Sequence, residues 1–68
     1  GMLNPGVYCL TKDIVSYNTG EIIAQKNSKV KVDEHSAPYS SIFGHNIYEV
    51  KHVLTKQNLY ISNEDIKR

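Results

Sequence analysis

Three histidines, His35, His45 and His52, and one cysteine, Cys9, are the side chains that could hold a transition metal in this chain. Structural zinc sites usually place their ligands in close pairs such as C-x2-C or H-x3-H. Here the successive histidines are ten and seven positions apart, and Cys9 could join them only through the fold. The spacing favours solvated histidines at 35 and 45. His52 falls on an apolar face of a predicted strand, so a half-buried histidine that is bonded to a backbone group is expected there.

Cys9 could also act as a nucleophile with a histidine as its base. A reactive thiolate needs a cation, a helix N-terminus or a paired base beside it. Cys9 lies instead in the middle of a predicted strand, where a free cysteine normally packs as a small apolar side chain. The chain has no nucleophile-elbow, zinc-protease, phosphate-loop or dinucleotide motif. We therefore predict no catalytic residue, no metal, no cofactor and no small-molecule substrate.

A small basic patch is formed by Lys26, Lys29 and Lys31, of which the last two fall on one face of a predicted strand. Small barrels bind nucleic acid by combining such a patch with stacked aromatic side chains. The alternative is a solvated outer face, because the net charge of the chain is only +1. Weak nucleic-acid binding through these lysines and a neighbouring tyrosine is the alternative function that the sequence supports.

The segment 34–46 lacks periodicity and contains three large apolar side chains within five positions, Tyr39, Ile42 and Phe43. If these side chains are exposed, they form an apolar patch of the kind that binds a partner. If they fold inward, Ile42 and Phe43 cap an open end of a barrel, and both alternatives stay open. Tyr17 lies near the tip of an earlier loop, so the predicted partner-binding residues are Tyr17, Tyr39, Phe43 and His45.

Length and composition predict one small β domain over residues 2–68, with Gly1 expected to be a remnant of a cleaved tag. Val and Ile together number thirteen against four Leu, and there are five Tyr, which is typical of a pleated, half-buried sheet. A lone cysteine suits a reducing compartment, and no apolar run is long enough to span a membrane. We therefore expect a cytoplasmic protein that has no membrane partner.

Strict alternation of apolar and polar residues predicts two strands. In residues 29–33, Val30 and Val32 are expected to point inward. In residues 47–55, the inward face is expected to hold an aromatic, two aliphatic residues and a histidine: Tyr48, Val50, His52 and Leu54. A further strand is predicted at 7–12.

The turn signals complete the predicted order of elements. Asn18-Thr19-Gly20 and Lys26-Asn27-Ser28 predict turns, and Gln57-Asn58 predicts a two-residue hairpin turn before a strand at 59–61. Ser62 is expected to cap one helical turn, with Asp65 in place of the usual Glu or Gln of a capping box. Residues 21–25 fit an extended segment and a helical turn equally well.

This order of elements resembles the Src-homology-3-like small barrel. Residues 8–12 correspond to the first strand, 13–24 to the long first loop, 26–28 to the diverging turn and 47–61 to the central hairpin. The resemblance implies an all-β, five-stranded Src-homology-3-like barrel with one short C-terminal helical turn. The Lys-Asp pair at 12–13 and the Ser-x-x-Asp-Ile close at 62–66 also resemble small proteins encoded by phages and mobile elements.

Departures from the family pattern limit what the resemblance implies for function. Family members that recognise proline-rich peptides use a Trp, paired first-strand tyrosines and a Pro before the final turn, and this sequence lacks them. Fold alone does not supply a function. We therefore predict a non-enzymatic interaction or assembly module that binds a partner protein, or its own copy, through loop aromatics.

Overall fold

The computed structural model describes residues 3–34, 38, 40–42 and 44–68. In these residues the secondary structure is β, apart from one 3-10 turn, which confirms the β class predicted from composition. The strands are β1 (Gly6–Leu10), β2 (Ile14–Val15), β3 (Ile22–Ala24), β4 (Lys29–Val32), β5 (Ser40–Ile42), β6 (His45–His52), β7 (Asn58–Ser62) and β8 (Ile66–Lys67), and the 3-10 turn is η1 (Asn63–Asp65).

The main sheet is antiparallel and follows the order β5-β6-β4-β1-β8, while β7 also pairs with β6. It curls into a half-barrel that is compatible with a Src-homology-3-like barrel. Strands β1, β4, β6 and β7 correspond to the strands predicted at 7–12, 29–33, 47–55 and 59–61, whereas β8 follows the predicted C-terminal helical turn and has no predicted counterpart. The structure adds a separate β2–β3 hairpin inside the predicted first loop and β5 inside the segment 34–46. Residues 22–24 are therefore extended.

Alternate residues of the strands fill one core. Val30 and Val32 are fully buried, as the alternation predicts, while Lys29 and Lys31 face solvent. The same period buries Tyr48 and Val50 on β6 and Leu59 and Ile61 on β7, because successive side chains of a strand point to opposite faces. The core is thus made from the inner face of the curled sheet.

The predicted turn at 26–28 is confirmed. Asn27 has a φ of 74°, a left-handed backbone that Asn tolerates better than most residues. Its N–H donates to the carbonyl of Leu10 (2.9 Å), and the N–H of Lys26 donates to Asp13 Oδ1 (2.7 Å). These bonds tie the start of β4 to the end of β1.

The hairpin between β6 and β7 corrects a prediction. Asn58 already lies in β7, opposite Lys51, so the turn is not Gln57-Asn58 but residues 53–56, closed by a bond from His52 N–H to the Gln57 carbonyl (2.8 Å). The left-handed residue is Lys56, with a φ of 65°. The predicted position of Leu54 on the core face is also wrong, because β6 ends at His52.

His52 explains why the strand ends there. The side chain is buried (6% exposed), and its Nδ1 accepts bonds from the backbone N–H groups of Leu54 and Thr55, each at 3.2 Å. Two donors that a continuing strand would direct to a neighbour are thereby satisfied within the turn. The predicted backbone partner of His52 is confirmed, although the side chain is more deeply buried than expected.

The predicted cap at Ser62 is confirmed. Its hydroxyl accepts a bond from the Glu64 N–H (3.2 Å), while Asp65 Oδ2 accepts one from the Ser62 N–H (2.8 Å). This is a reciprocal capping box with Asp in the third position. The turn η1 lets the chain pass from β7 to β8 and pair with β1.

The two ends of the described chain are joined at β1. Tyr8 donates from its hydroxyl to the Asn4 carbonyl (2.6 Å), and the Arg68 guanidinium lies over the Tyr8 ring, 5.0 Å from its centre. Arg68 also donates to the Pro5 carbonyl (2.9 Å). Between them, Gly6 has a φ of 146°, a conformation that side chains rarely adopt.

Candidate functional site

A short hairpin carries the fully exposed Tyr17 at its tip. The turn is closed by bonds between Ser16 and Glu21 (2.7 Å) and between Gly20 and Ser16 (2.9 Å), and Gly20 supplies the required positive φ of 75°. Tyr17 is 102% exposed, so it packs against none of the described residues. The backbone therefore holds an aromatic ring out in solvent.

Apolar side chains continue from the tip along the hairpin. Val15 and Ile22 are directly paired across β2 and β3, and they are 53% and 55% exposed. The register shifts between Ile14 and Val15, which separates the buried Ile14 from the exposed Val15. We call Val15, Tyr17 and Ile22 the apolar hairpin patch.

An open groove of about 320 Å³ extends this patch toward the β6–β7 turn. Ile22 and Ile23 line one part of it, and Leu54 and His52 line another. Leu54 is 86% exposed because the turn begins immediately after His52. The exposed apolar surface thus runs from the hairpin onto the main sheet.

The predicted partner-binding residues are not all described. Tyr39 and Phe43 lie outside the described residues, so the question of whether 34–46 caps the barrel or forms a surface stays open. His45 begins β6, and its Nδ1 lies 3.5 Å from Glu64 Oε2 on η1. Tyr17 and His45 therefore belong to two different regions, the hairpin tip and the η1 end of the sheet.

The outer face of the main sheet brings lysines together. Lys29 and Lys31 point outward from β4, as predicted, whereas Lys26 lies in the turn before it. Lys31 is directly opposite Lys51 of β6. Along the opposite edge of β4, β1 places Cys9 directly between Lys29 of β4 and Lys67 of β8. We call the four outward lysines, Lys29, Lys31, Lys51 and Lys67, the lysine face.

Among the described residues, the lysine face forms no ion pair, although Glu49 of β6 points outward beside Lys51. In the part of the chain that the structure describes, none of its four lysines lies within 4.0 Å of a carboxylate oxygen; the Lys12–Asp65 pair (3.3 Å) is elsewhere. Like charges directly opposite one another in a sheet are destabilising. The Lys31–Lys51 pair therefore costs the fold free energy that a neutral or acidic residue at either position would not.

An exposed tyrosine borders the lysine face. Tyr60 points outward from β7 and is 59% exposed. It is opposite Glu49, whose Oε2 accepts a bond from the Tyr60 hydroxyl (3.1 Å). Lys51 is its diagonal neighbour, at a separation of about 7–8 Å between backbones, which long side chains can bridge. The ring is thus held beside the lysines.

The cysteine and histidines that could hold a metal or act in catalysis are not brought together among the described residues. Cys9 is half-buried on the outer face between two lysines, rather than among apolar neighbours as expected, and His52 is on the inner face. His35 lies outside the described residues. Among those described, no three histidine, cysteine or carboxylate side chains are grouped closely enough to hold a metal ion.

Sequence reasoning missed two of the four residues of the lysine face, Lys51 and Lys67, and two of the three residues of the apolar hairpin patch, Val15 and Ile22. Lys51 could have been found, since it alternates with the inward Val50 and His52 in a predicted strand. Lys67 could not, because its place depends on the pairing of β8 with β1, which are far apart in sequence. The four-residue apolar run that contains Ile22 fits a strand and a helical turn equally well, and the alternation of residues 47–55 predicts Leu54 on the core face.

In three comparisons with known proteins, no family model, no curated sequence and no solved structure matches the chain. The resemblance to proteins of phages and mobile elements therefore stays a prediction. Across the residues that the structure covers, no helix has the length and apolar character needed to cross a membrane.

Proposed function

We propose that this chain is a non-enzymatic interaction module with a Src-homology-3-like barrel, and that it binds a second copy of itself through the apolar hairpin patch. The observation that carries the proposal is the direct pairing of Val15 with Ile22, both more than half exposed, beside the fully exposed Tyr17. Contiguous exposed apolar side chains of this kind mark protein interaction sites.

The architecture of the hairpin favours a second copy as the occupant. An isolated two-stranded sheet is marginally stable in water, and β2–β3 pairs with no other strand of the described chain. A second hairpin packed against it would shield the apolar side chains of both. With a net charge of +1, two copies repel each other little.

The size of the patch sets the expected strength of association. A standard interface buries about 800 Å² on each partner, and three side chains with Leu54 supply only part of that area. Association is therefore expected at micromolar or higher concentration. The lone Cys9 is half-buried on the other sheet, so the assembly needs no disulfide and fits the proposed reducing cytoplasm.

Sedimentation velocity over about 10 µM to 1 mM tests the proposal. The wild type should sediment faster as concentration rises, and Tyr17→Ser with Ile22→Thr should remain monomeric. The matched control is Val7→Thr with Tyr60→Ser, which removes an exposed aliphatic and an exposed tyrosine outside the hairpin and should associate like the wild type. A wild type that stays monomeric throughout would refute self-association.

A further inference from the structure

We propose that the lysine face is a binding surface for single-stranded nucleic acid, with Tyr60 stacking on a base at its edge. This surface is separate from the apolar hairpin patch, because its lysines lie on β4, β6 and β8 of the main sheet. Two of its lysines, Lys51 and Lys67, are distant in sequence from Lys26, Lys29 and Lys31. They join the face through the pairing of β6 with β4 and of β8 with β1.

The unpaired charge of the face is the first argument for an anionic ligand. Lys31 and Lys51 are directly opposite, and none of the described carboxylates lies within 4.0 Å of either. A fold that places like charges together without compensation breaks a local rule of sheet stability, and such violations are typical of functional sites. Bound phosphates would neutralise these lysines.

The spacing of the lysines is the second argument. Neighbouring strands lie about 4.8 Å apart and alternate residues of one strand about 6.6 Å apart, so the four ammonium groups cover a short, continuous track. It runs from Lys67 through Lys29 and Lys31 to Lys51. A backbone that carries one phosphate per nucleotide can follow such a track, with each lysine near one phosphate.

The third argument concerns the form of the nucleic acid. Five strands from β8 to β7 span about 19 Å at that spacing, which is too wide to enter the roughly 12 Å major groove of a duplex. Tyr60 is exposed beside Lys51, and a ring in this position can stack only on a base that is not already stacked within a duplex. Glu49 repels phosphate at this edge, which favours a base there.

The first experiment measures binding of labelled dT12, the same length of duplex, and polyglutamate as a non-nucleic polyanion, at 20–200 mM salt. Four phosphate contacts predict a slope of log affinity against log salt of about −3 for the single strand. Binding of dT12 tighter than duplex and polyglutamate supports the proposal. No binding of dT12 at the lowest salt, or equal binding of all three probes, overturns it.

The second experiment separates lost contacts from lost folding. Lys51→Glu places opposite charges across the sheet from Lys31, so thermal unfolding should show a melting temperature equal to or above that of the wild type. Its affinity for dT12 should nevertheless fall, and the slope of log affinity against log salt should become less negative by about 0.7. The matched control Lys56→Asn removes a charge outside the face, in a left-handed conformation that Asn accepts, and should keep the slope.

The third experiment tests the stacking ring. Tyr60→Leu should weaken dT12 binding about 5- to 150-fold with an unchanged salt slope, while Tyr60→Phe retains most of the affinity. Lys56→Asn, which lies off both proposed surfaces, again serves as the control and should keep most of the wild-type affinity. If Lys51→Glu binds dT12 as tightly as the wild type, or if Tyr60→Leu has no effect, the proposed site is wrong. Either result leaves self-association through the hairpin unaffected.

Discussion

Replacing His52 by Leu tests whether an imidazole holds the β6–β7 turn. Leucine fills a buried volume similar to that of the imidazole but lacks the Nδ1 acceptor. The N–H groups of Leu54 and Thr55, each 3.2 Å from Nδ1, would then lose their partner. No other residue is changed at the turn, so the effect on stability reports these two bonds.

The magnitude follows from the partial burial of the two donors. A buried donor without a partner costs about 1–3 kcal/mol, and both bonds here are long and reachable by water, which places the pair at about 1–2 kcal/mol in total. For a domain of 60–100 residues, 1 kcal/mol shifts the melting temperature by about 4–8 °C. We therefore expect His52→Leu to melt about 4–16 °C below the wild type.

Thermal unfolding followed by circular dichroism measures this shift, and His52→Asn is the matched control. The Asn Oδ1 can occupy the place of Nδ1 and accept both N–H groups, although the smaller side chain loses some packing. His52→Asn should therefore be the more stable variant of the two. If His52→Leu is as stable as the wild type, the imidazole does not hold the turn and the explanation for the end of β6 fails.

Two further substitutions test the ends of the sheet by thermal unfolding. Ser62→Ala removes the hydroxyl that accepts the Glu64 N–H and should lower the free energy of unfolding by about 1 kcal/mol. Ser62→Asp keeps an acceptor and should lower it less. Equal stability of Ser62→Ala and the wild type would contradict the capping role. Gly6→Ala should cost about 1–3 kcal/mol, because φ is 146° and the new Cβ would lie 3.2 Å from the Arg68 guanidinium. Adding Arg68→Ala should not restore this loss, and a full recovery would mean that the contact rather than the backbone causes it.

The strands could be predicted wherever one face is buried and the other is solvated. Residues 29–33 and most of 47–55 alternate because Val30, Val32, Tyr48 and Val50 share one core, and a period of two records that burial directly. The cap at Ser62 was equally accessible, since its bonds join residues at most three positions apart.

The end of β6 could not be predicted from the same pattern. Leu54 continues the alternation perfectly, yet the backbone N–H groups of Leu54 and Thr55 turn toward the His52 imidazole instead of a neighbouring strand. A periodic pattern predicts which residues of a strand share a face. It does not predict that a side chain will bind the next backbone N–H groups and so end the strand. As a result, an expected core residue became an exposed side chain beside a groove.

Net charge was a poor guide to the surface for a related reason. Eight basic and seven acidic residues give +1 for the chain, but the sum ignores which face each residue occupies. Glu64 and Asp65 lie on η1, and Asp13 lies at the start of the hairpin segment, where it accepts a backbone bond from Lys26. Glu49 shares β6 with Lys51, but these other acids lie off β4, β6 and β8, so a nearly neutral chain presents a face of four lysines to a ligand within about one Debye length.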